Sequence, residues 1–230
     1  MDNEKRKLTS VTVLVSKGFE EFDAEAVAKR KCAKEGGDWR ELVALWEEKG
    51  RLAAKAGTRL HENCERHILG QMDLLNSPQD EVEKINFKLA YDAIEEMKRD
   101  RTVVKFEPEK RMYSDRLGLV GVIDLLVTHI DGSYTLYDWK NVKDLSQFGF
   151  RNKCGILPCT RNIQDSNYWH YALQLQIYEI MLKADKIIPV DAVVRRKLNA
   201  FINGRLQEVD MPDVKEAAKG LIIWNSKREK

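Results

Sequence analysis

"GLVGVIDLLVTHIDGSYTLYDWKN", Gly118 to Asn141, sets two runs of β-branched and aromatic residues on either side of an Asp-Gly turn signal. Such runs read as a β-hairpin with a buried side. Yet Asp124 stands in one arm, and Asp138 and Lys140 stand in the other. Side chains alternate along a strand, so Asp138 and Lys140 point to the same face. The position of Asp124 depends on the turn. A two-residue turn at Asp131-Gly132 sets it opposite Trp139, whereas a three-residue loop, Ile130-Asp131-Gly132 with Gly132 left-handed, sets it opposite Asp138. A slip of one residue therefore separates or joins the two carboxylates.

Two carboxylates facing each other in a sheet repel, and an oxygen-preferring divalent cation such as Mg²⁺ neutralises them. A lysine two residues on then lies beside the ion, where it can hold a water or a phosphate oxygen. Taken alone, the hairpin is equally compatible with charges on a solvated sheet face or edge.

Upstream, "TVVKFEPEKRMYS" (Thr102 to Ser114) reads as the strand before the hairpin, and "SVTVLVS" (Ser10 to Ser16) as a short extended start. Helix formers fill Asp23 to Lys34 and Trp39 to Gly70. A third helix is expected from "NSPQDE", with Ser77 as cap and Pro78 at its first position, presenting Val82, Ile85, Leu89, Ala93 and Met97 on one face. Downstream, Asn141 to about Asp165 is irregular and carries Phe148, Phe150, Arg151, Lys153 and Arg161. Loops of this length in a compact domain are usually functional or mobile. Ser166 or Asn167 then caps a helix, "VDAVVRRKLNA" and "GRLQEVDM" read as strands, and a last helix starts near Pro212. The fold class expected is α/β: a small mixed sheet flanked by helices, with a mainly helical part over residues 1–100 and the sheet with its flanking helices over 101–230 of a single domain.

The 39 basic and 37 acidic residues nearly cancel, which excludes a polycation that coats nucleic acid indiscriminately. Between Trp139 and Arg205 there are 11 Lys and Arg against 5 Asp and Glu, so any phosphate-facing surface belongs there. Cys32, Cys64, Cys154 and Cys159 lack CxxC spacing, and no iron-sulfur cluster is expected. The start "MDNEKRKLTS" has no signal-peptide core, and no apolar run approaches the roughly 18 residues of a membrane span. An intracellular chain without a membrane partner is expected.

"GVID" followed by "YDWK" resembles motifs II and III of the PD-(D/E)XK nuclease superfamily. With "EKRMYSDRLGLVGVID" and "NYWHYALQLQIY", the likeness extends to the RecB-like exonuclease branch of phage and large-virus type, over about Ser10 to Tyr178. The order of the motifs makes the resemblance more specific than a lone D-x-K. It implies a restriction-endonuclease-like core and a metal-dependent deoxyribonuclease, an exonuclease rather than an endonuclease, serving replication, recombination or repair. It further implies a phage or viral source.

The resemblance also assigns residues. "GTRLHENCERHILG" is similar to the branch's metal-binding helix and gives that role to His61, with Glu65 on the same helical face. The acid of the preceding strand falls on Glu109, with Glu107 as the alternative and Pro108 between them departing from a clean strand. One or two Mg²⁺ or Mn²⁺ ions are then expected on His61, Glu109, Asp124, Asp138 and the Trp139 carbonyl, with Lys140 orienting the attacking water and the scissile phosphate. "QLQIY" matches a Q-x-x-x-Y motif, giving substrate contacts to Gln174 and Tyr178. Ser10 and Thr12 match a hydroxyl pair that meets phosphate, and Trp169, His170 and Tyr171 are candidate base-stacking groups. DNA, as single strands or duplex ends, is the implied partner; a helicase or recombinase is compatible but specified by no motif. Competing classes are a site-specific or structure-specific endonuclease and a non-cutting nucleic-acid-binding protein of the same fold.

Overall fold

The structure is a computed structural model and describes residues 8–228 of the chain. Its centre is a six-stranded mixed sheet made of β1 (Thr9–Ser10), β2 (Val103–Ser114), β3 (Leu119–His129), β4 (Tyr134–Asn141), β5 (Val194–Ile202) and β6 (Arg205–Asp210). Strands β2 to β6 lie in chain order, and β4 and β5 run parallel while their neighbours are antiparallel. A parallel pair needs a crossover, and helix α5 (Asn167–Ala184) lies in it. The two residues of β1 pair in parallel with the start of β3 at Leu119 and Val120, on the edge that β4 takes further along.

Helices cover both faces. α5, α1 (Val11–Ser16) and α6 (Lys215–Arg228) enclose one core with Leu119, Ile123, Leu126, Leu136 and Leu198 of the sheet. α3 (Trp39–Ile68) and α4 (Glu81–Arg99) enclose the other with Leu125, Val127, Trp139 and Phe201. α2 (Ala24–Glu35) packs on α3. Among the described residues, no helix is long and apolar enough to cross a membrane.

The expected α/β architecture is present, with two local corrections. "SVTVLVS" is extended only at Ser10; from Val11 it is helical, and the Ser10 hydroxyl accepts the Val13 N–H at 3.2 Å. Val11, Leu14 and Val15, spaced i, i+3 and i+4, are all buried, so packing against α5 and α6 overrides the β preference of the valines. α4 begins at Glu81 rather than at Pro78, and its cap is Asp80, which accepts the Glu83 N–H at 2.8 Å. Its buried face is Glu83, Asn86, Phe87, Ala90 and Ile94, while Val82 and Ile85 are exposed. The face is turned by one residue because Glu83 is drawn inward by its ion pair with Arg59 of α3, and Phe87 and Ile94 seat on the sheet.

The hairpin has the three-residue loop. Thr128 pairs with Tyr134 and the ladder continues to Leu125 with Tyr137, so the same register carried one step further sets Asp124 against Asp138. Gly132 takes φ +79°, and its N–H donates to the His129 carbonyl at 3.0 Å. A side chain at that φ would be strained, which is why glycine closes the loop.

Alternation breaks in the middle of the sheet. On β3, Leu119 and Ile123 face the α5 side, yet Leu125 and Val127 face α3 and α4. On β2, Met112 faces α5 and Phe106 faces α4, although both numbers are even. The reversals fall at Asp124 and at Glu109, which has φ +46°. Pro108 pairs with Leu125 and Lys110 with Ile123, so Glu109 and Asp124 oppose each other at this shared kink.

Candidate metal centre

The kink brings acids from two strands to one helix. His61 on α3 has its Nδ1 3.5 Å from Asp124 Oδ1 and 3.7 Å from Glu109 Oε1. Candidate donor atoms of His61, Glu109 and Asp124 all lie within 4.8 Å of one another. The His61 Nε2–H donates to the Trp139 carbonyl at 2.9 Å, since a carbonyl only accepts. The Trp139 N–H in turn donates to Asp124 Oδ2 at 2.8 Å. One peptide residue of β4 therefore orients both the histidine and the carboxylate.

α3 is held in place by contacts behind His61. The buried Asn63 side chain exchanges two hydrogen bonds with the Asn76 backbone, at 3.0 and 2.7 Å. His67 stacks on Tyr91 of α4 and meets Glu95 at 3.0 Å. The first ties the long helix to the connection that follows it and the second ties it to α4, so the His61 ring enters the site from a rigid element.

Lys140 approaches from the same strand as Trp139. Its ammonium lies 2.7 Å from Asp138 Oδ1, 3.8 Å from Asp124 Oδ2, and 5.6 Å from the centre of the Tyr171 ring on α5. Asp138 is 2 % exposed, and its second oxygen has no hydrogen-bond partner among the described residues. Burial pushes the Asp138 carboxyl up to about 6, helped by the Asp124 charge and opposed by Lys140. Burial works against the charge of Lys140 as well, but Asp138 and Asp124 outweigh it and keep the ammonium charged. Burial likewise opposes a charged His61, yet hydrogen bonding to Asp124 and Glu109 prevails and the imidazole is pushed up to about 10. For Asp124, Lys140 and His61 overcome burial and hold the carboxyl below its usual range.

The structure separates residues that the sequence grouped. Glu109, not Glu107, reaches His61; Glu107 is paired with Lys110 at 2.5 Å and Lys105 at 3.3 Å. Asp138 stands beside the His61, Glu109 and Asp124 group, linked through Lys140, rather than within it. Gln174 donates to the Tyr178 hydroxyl at 3.2 Å. Tyr178 is 3 % exposed, and its ring fills the space of the absent Gly121 side chain; a Cβ there would sit 2.4 Å from Cε1. Ser10 caps α1, and Thr12 is exposed on it. Trp169 donates its indole N–H to the Gln147 carbonyl at 2.9 Å, and His170 packs on Phe19 and pairs with Asp165.

A groove of about 560 Å³ opens on the cluster between α3 and β2, lined by Gly57, Thr58, His61, Glu65, Glu109 and Arg111. Arg111 and Thr58 were not singled out by sequence; the available signal is that Arg111 follows Glu109 by two and Thr58 precedes His61 by three.

One imidazole nitrogen and converging carboxylate oxygens, with a lysine ammonium 3.8 Å from one of them, form a donor set suited to Mg²⁺ or Mn²⁺. The unpartnered Asp138 oxygen fits as well, because a buried anionic oxygen demands a donor or a cation. The residues therefore fit a divalent ion.

Comparison with known proteins gives distant likenesses. No family model matches the chain, and no curated protein matches it. Among solved structures, a "putative exonuclease" from Eubacterium rectale is similar at 16% identity and a TM-score of 0.46, covering 77% of this chain. The match spans 65% of the length of that protein. The crystal structure of SSO0001 is similar at 14% identity and a TM-score of 0.37, over 98% of this chain and 79% of the other.

Proposed function

We propose that the protein is a divalent-metal-dependent nuclease that hydrolyses phosphodiester bonds in DNA, a RecB-like member of the PD-(D/E)XK superfamily acting as an exonuclease. The observation that carries the reading is the meeting of His61, Glu109 and Asp124 at the kink where the alternation of β2 and β3 reverses, with Lys140 3.8 Å from Asp124. The exonuclease assignment rests on the sequence resemblance.

His61, Glu109, Asp124 and the Trp139 carbonyl are the residues that would hold the ion, with Asp138 beside them. When bound, a divalent ion supplies Lewis acidity, lowering the pKa of water and offsetting charge that builds on the phosphate. The remaining work belongs to the chain. Asp138 and Asp124 keep Lys140 protonated, so it acts as a positive hydrogen-bond donor that orients water and a phosphate oxygen and not as a base. The Trp139 N–H fixes Asp124, and the α3 to α4 contacts fix His61. Water attacks phosphorus in line, the P–O3′ bond breaks, and the products are a 5′-phosphate and a 3′-hydroxyl.

The test is digestion of 5′- and 3′-labelled single- and double-stranded DNA with Mg²⁺ or Mn²⁺, with an EDTA control. Metal-dependent mono- or short oligonucleotides are expected. Intact DNA under all metal conditions, alongside tight binding, overturns the reading in favour of a non-cutting DNA-binding protein; discrete fragments from internal sites overturn the exonuclease assignment.

A further inference from the structure

Eight residues beyond Lys140, the β4 to α5 connection shows two phenylalanines to solvent: Phe148 is 73% exposed and Phe150 is 75% exposed. Nothing in the proposed mechanism uses them. Burying a ring this size is one of the larger favourable terms open to a fold, so two rings held out in water call for a ligand.

The segment that displays them is tied down on several sides. Cys154 bridges to Gln164, and the Asp165 N–H donates to the Lys153 carbonyl at 2.8 Å. The Gln164 side chain accepts the Gly149 N–H at 3.0 Å, and Trp169 holds the Gln147 carbonyl. Ile156 N–H and the Thr160 hydroxyl both donate to the Gly18 carbonyl, at 2.9 and 2.8 Å. Gly149, between the rings, packs so closely that a Cβ would lie 2.5 Å from the Lys153 carbonyl oxygen. The exposed rings thus stand on a fixed base.

Their surroundings are basic. Residues 142–166 contain Lys143, Arg151, Lys153 and Arg161 against Asp144 and Asp165. Lys153 is paired with Glu20 and Asp165 with His170, whereas Lys143, Arg151 and Arg161 enter no ion pair among the described residues. The Arg151 guanidinium lies 5.2 Å from the Phe150 ring centre, and Arg151 and Asn152 take φ of +56° and +57°. Aromatic faces interleaved with unpaired cations match unstacked bases joined by phosphates. The place is also right. The segment leaves β4 one residue after Lys140 and runs into α5, whose Tyr171 ring lies 5.6 Å from Lys140.

We propose that Phe148 and Phe150, with Arg151, form a stacking platform for the bases of single-stranded nucleic acid next to the metal centre. The proposal takes its substrate class from the nuclease reading, and it makes the bound form a single strand rather than intact duplex. Stacking needs free base faces, which a duplex does not offer.

The experiment measures binding in EDTA, where cleavage cannot interfere. Full-length protein is titrated into a labelled mixed-sequence 15-mer, the same 15-mer with abasic sites through its length, and a blunt duplex. The wild type is expected to bind the normal strand about tenfold or more tighter than the abasic strand. The Phe148→Ala/Phe150→Ala protein should lose that difference while binding the abasic strand unchanged, and Phe148→Trp/Phe150→Trp should restore it. Equal loss on both strands, or no loss on either, overturns the platform. So does a concentration-dependent dimer that the alanine variant abolishes, since the rings would then cover a second copy. Failure of the nuclease reading shows separately, as absent metal-dependent cleavage by a wild type that keeps its preference for bases.

Discussion

The Nε2 of His61 lies 2.9 Å from the carbonyl oxygen of Trp139, joining a helix to the strand that bears Lys140. The imidazole is held charged between that carbonyl and the carboxylates of Asp124 and Glu109. A proton on His61 and a metal ion compete for the same electron pairs. Divalent-ion binding is therefore expected to release a proton near neutral pH, and affinity should rise about tenfold per pH unit between about pH 7 and 9. Calorimetric titration with Mn²⁺ in two buffers of different ionisation enthalpy measures this; a buffer-independent heat contradicts it.

The same shift sets the stability of the metal-free protein. The folded pKa of His61, about 10, lies above its ordinary value of 6.5. Its contribution is thus complete below about 6.5 and lost as pH rises through about 10. Thermal unfolding in EDTA should show Tm falling over that window, with the fall absent in His61→Gln.

Lys140→Ala is expected to lower cleavage by about 10²-fold to 10³-fold, the loss typical of removing one donor to a developing charge. DNA binding should change far less. A wild-type rate of cutting by this variant with Mg²⁺ present would remove the lysine from the mechanism.

Glu107 and Glu109 separate two readings of one strand. Glu109→Gln should abolish metal-dependent cleavage and weaken Mn²⁺ binding. Glu107→Gln should leave both within about twofold, because that half-buried side chain meets Lys105 and Lys110 rather than His61. Equal effects of the two substitutions would contradict the placement.

Gly121→Ala tests the seam between sheet and α5. The new methyl would overlap the Tyr178 ring, and overpacking of this kind costs about 1–3 kcal/mol. Denaturant unfolding should register the loss, and Tyr178→Ala in the same chain should recover part of it.

The hairpin was legible in sequence from its turn and its alternation, but Asp131-Gly132 fits both a two-residue turn and a three-residue loop, and the pairing of Thr128 with Tyr134 chooses the second. The kink was not. Sequence period places Glu107 and Glu109 on one face, but the left-handed φ of Glu109 separates them, and no propensity announces a positive φ at glutamate. The helical turn at Val11 was hidden for a different reason: three buried apolar residues at helical spacing are also β formers, and only α5 and α6 decide between the forms. In α4 the apolar face suggested by Val82 and Ile85 gave way to one that includes Glu83, because Arg59 comes from a helix with no local sequence signal linking the two.

Trp139 serves the centre through its peptide groups: the N–H holds Asp124 and the C=O holds His61, while its indole is buried beside Phe201. Every amino acid except proline brings the same two backbone groups. A scan for lost activity would therefore read this position as a packing residue, with large apolar replacements tolerated and small ones failing through loosened backbone. The part of the centre that joins its acid to its histidine is thus invisible to side-chain genetics and is inherited through the shape of the strand.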